Sequence, residues 1–223
     1  MAIRVVAFDV NETLLDLSAL DDPFEALFGE ASIRQQWFAQ MLQLAFVGGL
    51  TGQYVDFTTA QHAALSMLAE RHGRELPPDV AKSIVGAMSS LPAHPEVQAA
   101  LQRLRRQPVQ VVALTNSPLA VAEQQVLNAG IDDCFDALLS ADEVQALKPA
   151  AAAYQHVAER QEVELEEILL VAAHPWDVSG ALAAGCRAAF VRRQGVVPSP
   201  LGPAPEMIGD DITDIVDQII EAP

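Results

Sequence analysis

Two residue types are scarce enough in this 223-residue chain to narrow its function. The only cysteines, Cys134 and Cys186, lie far apart and lack the spacing of a metal knuckle. That argues against a disulfide framework or a thiolate metal site, and both thiols read as small buried apolar side chains. Lysine is equally rare, with only Lys82 and Lys148. Thirteen cations face thirty carboxylates, for a formal charge of −17. A balance this acidic argues against nucleic acid or an anionic membrane as partner, since both need a basic face. Any anion site must then be built locally from few cations. The sequence also lacks an apolar run of 18 residues, and no basic leader precedes the first strand, so a soluble cytoplasmic protein is expected.

What is present suits a well-buried α/β protein: 51% of residues are hydrophobic and 19% charged. The length allows one sizeable core, with room for a smaller insertion. Val5-Val6-Ala7-Phe8 is a continuous apolar run of the kind buried on both faces of a parallel sheet, and it ends abruptly in Asp9. Ligand crevices of such sheets lie beyond the carboxyl ends of the strands, which is where Asp9 would sit. A carboxylate there serves as nucleophile, metal ligand or turn cap. Thr13 follows four positions on.

From about 21 to 88 the patterning is helical and no strand signal appears. Segments opening at Pro23, near Ile33, at Thr58 and at Asp79 read as separate helices, with Gly48-Gly49 breaking the second and Gly73 stopping the third. An all-helical block between the first strand and the second is what a cap inserted into an α/β core looks like. Beyond it strands alternate with helices: 109–114, about 137–139, 168–173 and 188–191 read as strands, and 194–205 as a loop rich in Pro and Gly. Alternation of this kind implies a doubly wound, Rossmann-like parallel sheet.

The strand ends carry the polar residues: Asp9 with Thr13, then Thr115-Asn116, then His174 with Asp177, while Lys148 opens a helix between them. Each alone has a plain structural explanation as a cap or a solvated charge. Together they offer a carboxylate, a counter-cation, hydroxyl and amide donors, and a second carboxylate. Nucleophilic catalysis by an aspartate requires such a set.

The segments Phe8-Asp9-Val10-Asn11-Glu12-Thr13-Leu14, Leu114-Thr115-Asn116-Ser117, Lys148-Pro149 and His174-Pro175-Trp176-Asp177 resemble the four ordered motifs of the haloacid dehalogenase (HAD) superfamily. The resemblance implies a core domain of 1–15 and 92–223 and a helical cap domain of 16–91 that closes over the nucleophile. Phosphatases of that superfamily carry a second Asp where this chain has Asn11, and a Mg²⁺-holding carboxylate where it has Ala173. Both losses point to the branch that resembles type II (S)-2-haloacid dehalogenases. There Asp9 would displace halide from carbon, and water would hydrolyse the resulting ester with no metal and no cofactor.

The same resemblance implies an active site of Asp9, Thr13, Arg34, Thr115, Asn116, Lys148, Tyr154, His174 and Asp177. It gives Arg34 the role of assisting the departing halide. Asn11, Glu12 and Trp176 are expected in the substrate pocket, with a small carboxylate as substrate, halide as product and a homodimer as the assembly. Dehalogenases usually carry Tyr-Gly in place of Asn11-Glu12, Ser in place of Ala172 and Asn in place of His174. Two alternatives keep the aspartate nucleophile: a phosphatase of small phosphate esters, and a ring-opening hydrolase of a strained cyclic amino acid such as azetidine carboxylate. His174 would add a base that the usual Asn lacks.

Overall fold

The protein is described from a computed structural model over residues 2–221. Met1, Ala222 and Pro223, the outer ends of the expected core domain, lie outside the described residues. Strand β1 (Val5–Phe8) is followed by four helices among the described residues: α1 (Asp21–Phe28), α2 (Ile33–Thr51), α3 (Phe57–Arg71) and α4 (Pro78–Ala87). The alternating part then runs α5 (Val97–Leu104), β2 (Gln110–Thr115), α6 (Leu119–Asn128), β3 (Ala137–Ser140), α7 (Ala151–Gln161) and β4 (Ile168–Ala172). It closes with α8 (Pro175–Ala184), β5 (Arg187–Val191), β6 (Met207–Gly209) and α9 (Ile212–Glu221).

Among the described residues six strands form one parallel sheet in the order β3-β2-β1-β4-β5-β6. β1 lies between β2 and β4, with Phe8 paired to Ala113 on one side and Val171 on the other. Its four residues are fully buried. Val6 and Phe8 enter one apolar layer with Leu101 and Ile215, whereas Val5 and Ala7 enter the opposite layer with Tyr154 and Phe190. This two-sided burial is why the strand reads as an unbroken apolar run rather than an alternation. Strand order reverses at β1, since β2 and β3 lie to one side and β4 to β6 to the other. The carboxyl end of β1 therefore opens into the crevice of a topological switch point.

Helices α1 to α4 share an apolar interior around Trp37, which packs 5.3 Å from Phe24 and donates its indole N–H to the Gln61 carbonyl at 2.9 Å. The two chain segments joining this block to the sheet pair with each other. Leu15 bridges Ala93 antiparallel, Asp16 N–H donates to Pro92 at 2.8 Å, and His94 N–H donates to Leu14 at 2.9 Å.

Two expectations are corrected. Gly48 and Gly49 do not break a helix, because α2 continues through them to Thr51. Gly48 is required by close approach instead: a Cβ there would meet the Gln53 carbonyl at 2.7 Å, where the chain folds back on α2. The strand expected at 188–191, observed as β5, is also not the last. β6 pairs with its outer edge, and three residues are too few to leave a period-two pattern in sequence.

Candidate active site

Asp9 directly follows β1, and its N–H still donates to the Val171 carbonyl at 3.0 Å, so its position is anchored by the sheet. One carboxylate oxygen, Oδ1, accepts from Lys148 Nζ at 2.7 Å, and Oδ2 accepts from the Thr13 hydroxyl at 2.6 Å. The Thr13 hydroxyl accepts in turn from the Ala173 N–H at 2.9 Å, which ties the turn after β1 to the end of β4. Lys148 Nζ reaches two further acceptors, Asp177 Oδ2 at 2.6 Å and the Leu114 carbonyl at 2.9 Å. All three ammonium hydrogens are thus matched. The match is obligatory, because the lysine side chain is wholly buried and an unpaired buried charge costs several kcal/mol or more.

One cation between two carboxylates divides their electrostatics. Burial disfavours the charge on Asp9, but the pull of the Lys148 ammonium above all, with hydrogen bonds from Lys148 and Thr13, outweighs it and holds this carboxyl below the ordinary range. For Asp177 burial comes first and the negative charge of Asp9 adds to it. Together they push this carboxyl up against the pull of Lys148 and Tyr154. Burial also opposes charge on Lys148, yet Asp177 and Asp9 keep the ammonium on and raise its pKa. The arrangement favours an anionic Asp9 beside a permanent cation, the state a carboxylate nucleophile needs.

The partners of Lys148 are held from several elements. Asn116, just after β2, clasps the lysine backbone: its Oδ1 accepts from Lys148 N–H at 2.7 Å and its Nδ2 donates to the Lys148 carbonyl at 3.1 Å. Thr115 accepts from the Ser117 N–H at 3.1 Å. Among the described residues neither side chain hydrogen-bonds Asp9, so the expected set of donors on Asp9 reduces to Lys148 and Thr13. Tyr154 on α7 donates to Asp177 Oδ1 at 2.6 Å. Burial, then the Asp177 charge, pushes its phenol well above the usual range, so it stays a neutral donor. Gly180 makes this possible, since a Cβ there would lie 2.6 Å from the Tyr154 hydroxyl and 2.4 Å from Pro149.

The residues expected to line a substrate pocket separate. Asn11 turns its amide inward: Oδ1 accepts from Gln125 at 2.9 Å and Nδ2 donates to Ser117 at 3.2 Å. Its side chain therefore braces the loop against α6 instead of lining a pocket. Glu12 takes φ 63° and keeps its side chain 23% exposed. His174 lies 3.6 Å from Asp9 Oδ2, with Phe38 and Trp176 stacked on its ring. Among the described residues the buried Trp176 indole nitrogen has no hydrogen-bond partner. Arg34, in the first turn of α2, is buried and pairs through Nε with Asp21 at 2.5 Å. Among the described residues no ion pair joins Arg34 to Asp9.

Two residues escape the sequence reading. Arg193, beyond β5, donates from Nε and Nη2 to the Thr13 carbonyl at 3.1 and 2.7 Å, and its Nη1 sits 2.8 Å from Glu96. Gln125 on α6 joins Asn11 to the Met88 carbonyl, at 2.9 and 2.8 Å. Neither carries a local signal, because an arginine in a loop and a glutamine on a helix are ordinary surface types.

A family model described as haloacid dehalogenase-like hydrolase matches residues 3–185. The chain belongs to this family of hydrolases. Haloacetate dehalogenase H-2 of Moraxella sp. (strain B) is 31% identical over 92% of this chain and 92% of its own length. The (S)-2-haloacid dehalogenase 2 of Pseudomonas sp. (strain CBS-3) is 31% identical over 92% of this chain and 91% of its own. Among solved structures, L-2-haloacid dehalogenase from Xanthobacter autotrophicus is 26% identical and superposes with a TM-score of 0.92, covering 99% of this chain and 100% of that one.

Phosphatases of the HAD superfamily use Mg²⁺, and the donors in this hydrolase do not fit it. Mg²⁺ demands several oxygen ligands in near-octahedral array. Here both Asp9 oxygens are engaged, the end of β4 offers the methyl of Ala173, and the Asn11 carbonyl faces the His174 ring at 3.1 Å. Among the described residues no three His, Cys, Asp or Glu side chains group to hold a metal.

Proposed function

We propose that this HAD-like hydrolase converts a small 2-haloacid, of (S) configuration, to the 2-hydroxy acid without a metal. The observation that supports it is the Asp9–Lys148 contact, a buried anionic carboxylate held by an ammonium, with Asn11 and Ala173 where phosphatases of the superfamily carry carboxylates. An Asp9 oxygen attacks the carbon bearing the halogen, the carbon–halogen bond breaks, and halide departs with its electron pair. Water then attacks the Asp9 carbonyl carbon, the acyl carbon–oxygen bond breaks, and the 2-hydroxy acid leaves with Asp9 restored. Thr13 and Lys148 orient the attacking carboxylate, while Asp177, held by Tyr154, keeps Lys148 charged. Arg34, anchored by Asp21, is the cation proposed to meet the departing halide. Phe38 and Trp176 supply apolar wall, and the helical segment 16–91 acts as the cap.

A cytoplasmic setting and a homodimer belong to the same proposal. The named activities of the relatives support the dehalogenation, as does the poor fit to Mg²⁺. The test is a panel of (S)-2-chloro and 2-bromo acids and small phosphate esters, assayed with and without EDTA. Halide release that persists in EDTA, with ¹⁸O from water entering Asp9 in a single turnover, is the expected result. Phosphate release that requires added Mg²⁺ would overturn it.

A further inference from the structure

The hydrolytic half of this reaction needs a base near the Asp9 carbonyl carbon. Asp177 is poorly placed for it: it is fully buried and its oxygens are engaged by Lys148 and Tyr154. His174 has the necessary position. Its Nε2 lies 3.6 Å from Asp9 Oδ2 and 3.1 Å from the Asn11 carbonyl, and its Nδ1 lies 3.9 Å from Glu12 Oε2. Both stacked rings are close, with centroids 5.3 Å away for Phe38 and 5.1 Å for Trp176, so the imidazole plane is fixed and each nitrogen keeps its direction. Glu12 reaches it from φ 63°, where a side-chain-bearing residue is strained by on the order of 1 kcal/mol or more. The left-handed turn suits the glycine that dehalogenases usually carry here, and Glu12 in its place puts a carboxylate 3.9 Å from a ring nitrogen beside Asp9.

We infer that Glu12 and His174 form a carboxylate–imidazole pair that breaks the aspartyl ester. This rests on the ester-forming reading above. While Asp9 is an anion, it and the Asn11 carbonyl both favour a hydrogen on Nε2. Ester formation removes the Asp9 charge, the hydrolytic water takes over from the Asn11 carbonyl as the partner of Nε2, and the Glu12 carboxylate then favours the tautomer with hydrogen on Nδ1. The hydrogen leaves Nε2 for solvent while one is delivered to Nδ1 through Glu12, which borders solvent, so the ring stays neutral. Nε2 now accepts a proton from the water whose oxygen bonds to the Asp9 carbonyl carbon. When the acyl carbon–oxygen bond breaks, Nε2 returns that proton to the departing alkoxide. The second water proton is released as Asp9 ionises. Glu12 acts through the imidazole, as a positioning residue.

Rapid-quench kinetics with a 2-bromo acid separate the halves, reading halide release and the Asp9 ester by mass spectrometry. Glu12→Gln and His174→Asn should each keep a burst of halide while ester breakdown slows, by about a hundredfold for His174→Asn. Glu12→Asp should recover part of the rate, and the double variant should be no slower than His174→Asn. Ester breakdown at the wild-type rate in Glu12→Gln, or additive losses in the double variant, would overturn the pair while leaving the halide burst intact. Absence of both ¹⁸O label and ester on Asp9 after a single wild-type turnover that releases halide would instead remove the ester-forming reading, and the pair with it.

Discussion

Lys148 Nζ donates to Asp9 Oδ1 at 2.7 Å, and no part of the lysine side chain reaches solvent. The contact joins the end of β1 to the segment that opens α7, 139 residues away in sequence. Asp177 closes the other side of the ammonium at 2.6 Å. The site is therefore a buried ion triad with one positive and two negative members, and Tyr154 and Thr13 each hold one carboxylate by its remaining oxygen.

Removing the cation should damage fold and reaction together. Lys148→Met leaves Asp9 and Asp177 facing each other without compensation, at a cost of about 3–5 kcal/mol in unfolding free energy. It also takes away the group that holds Asp9 anionic, so turnover should fall by about a hundredfold or more. Denaturant unfolding and halide release on the same preparation measure the two losses. A variant of wild-type stability and rate would mean that the triad does not hold the nucleophile.

The triad also fixes how the protein responds to pH. Asp9 is depressed when folded, so its contribution is fully present above its unfolded value near 3.8 and is lost as pH falls through the lower folded value. Asp177 is raised, and its contribution has the opposite sign: present below 3.8 and lost as pH rises through the folded value. Lys148 is raised, so its stabilisation is complete below 10.5 and fades as pH climbs through the folded value. Two outcomes are expected. The rate should show no loss from Asp9 protonation down to pH 4, and denaturant midpoints should fall above pH 10.5 in the wild-type protein but not from this source in Lys148→Met.

Much of this was legible in the sequence for a local reason. A strand buried on both faces is written as a continuous apolar run, and the polar residue ending it marks the crevice, so Asp9, Thr115-Asn116 and His174 stood out at once. Side-chain direction was not legible. Asn11 sits next to pocket positions, yet its amide turns to Gln125, 114 residues away, because a buried amide needs partners on both ends. Gly48 and Gly49 of α2 likewise signal a break by type, whereas Gly48 serves close approach to Gln53. Arg193 was invisible because its partner lies 180 residues upstream.

The inward turn of Asn11 has a measurable consequence. Asn11→Ala leaves the Gln125 amide N–H with only the Met88 carbonyl, beside a Gln125 oxygen that already lacks a partner. Unfolding free energy should drop by about 1–3 kcal/mol. KM for a 2-haloacid should stay within about twofold, since a change of that size is under 1 kcal/mol of binding. A large rise in KM with unchanged stability would put the side chain back in the substrate pocket.

Arg193 offers a sharper separation of structure from positioning. Its guanidinium forks onto the Thr13 carbonyl through two nitrogens, at 3.1 and 2.7 Å, and is aimed there by Glu96 at 2.8 Å. Thr13 relays the constraint through its hydroxyl, which lies 2.6 Å from Asp9 Oδ2. Lysine keeps the charge but replaces a planar two-point grip by a single flexible nitrogen. Arg193→Ala should lose about 1–3 kcal/mol of stability, because the Thr13 carbonyl is left without its donor. Arg193→Lys should regain most of that stability and little of the rate. A carboxylate free to rotate attacks from poorer angles, and a displacement of about 1 Å is enough to cost a hundredfold. The loss should fall on kcat, with KM nearly unchanged, since Thr13 orients the nucleophile and not the substrate. Parallel recovery of stability and kcat in Arg193→Lys would show that the arginine only holds the fold together.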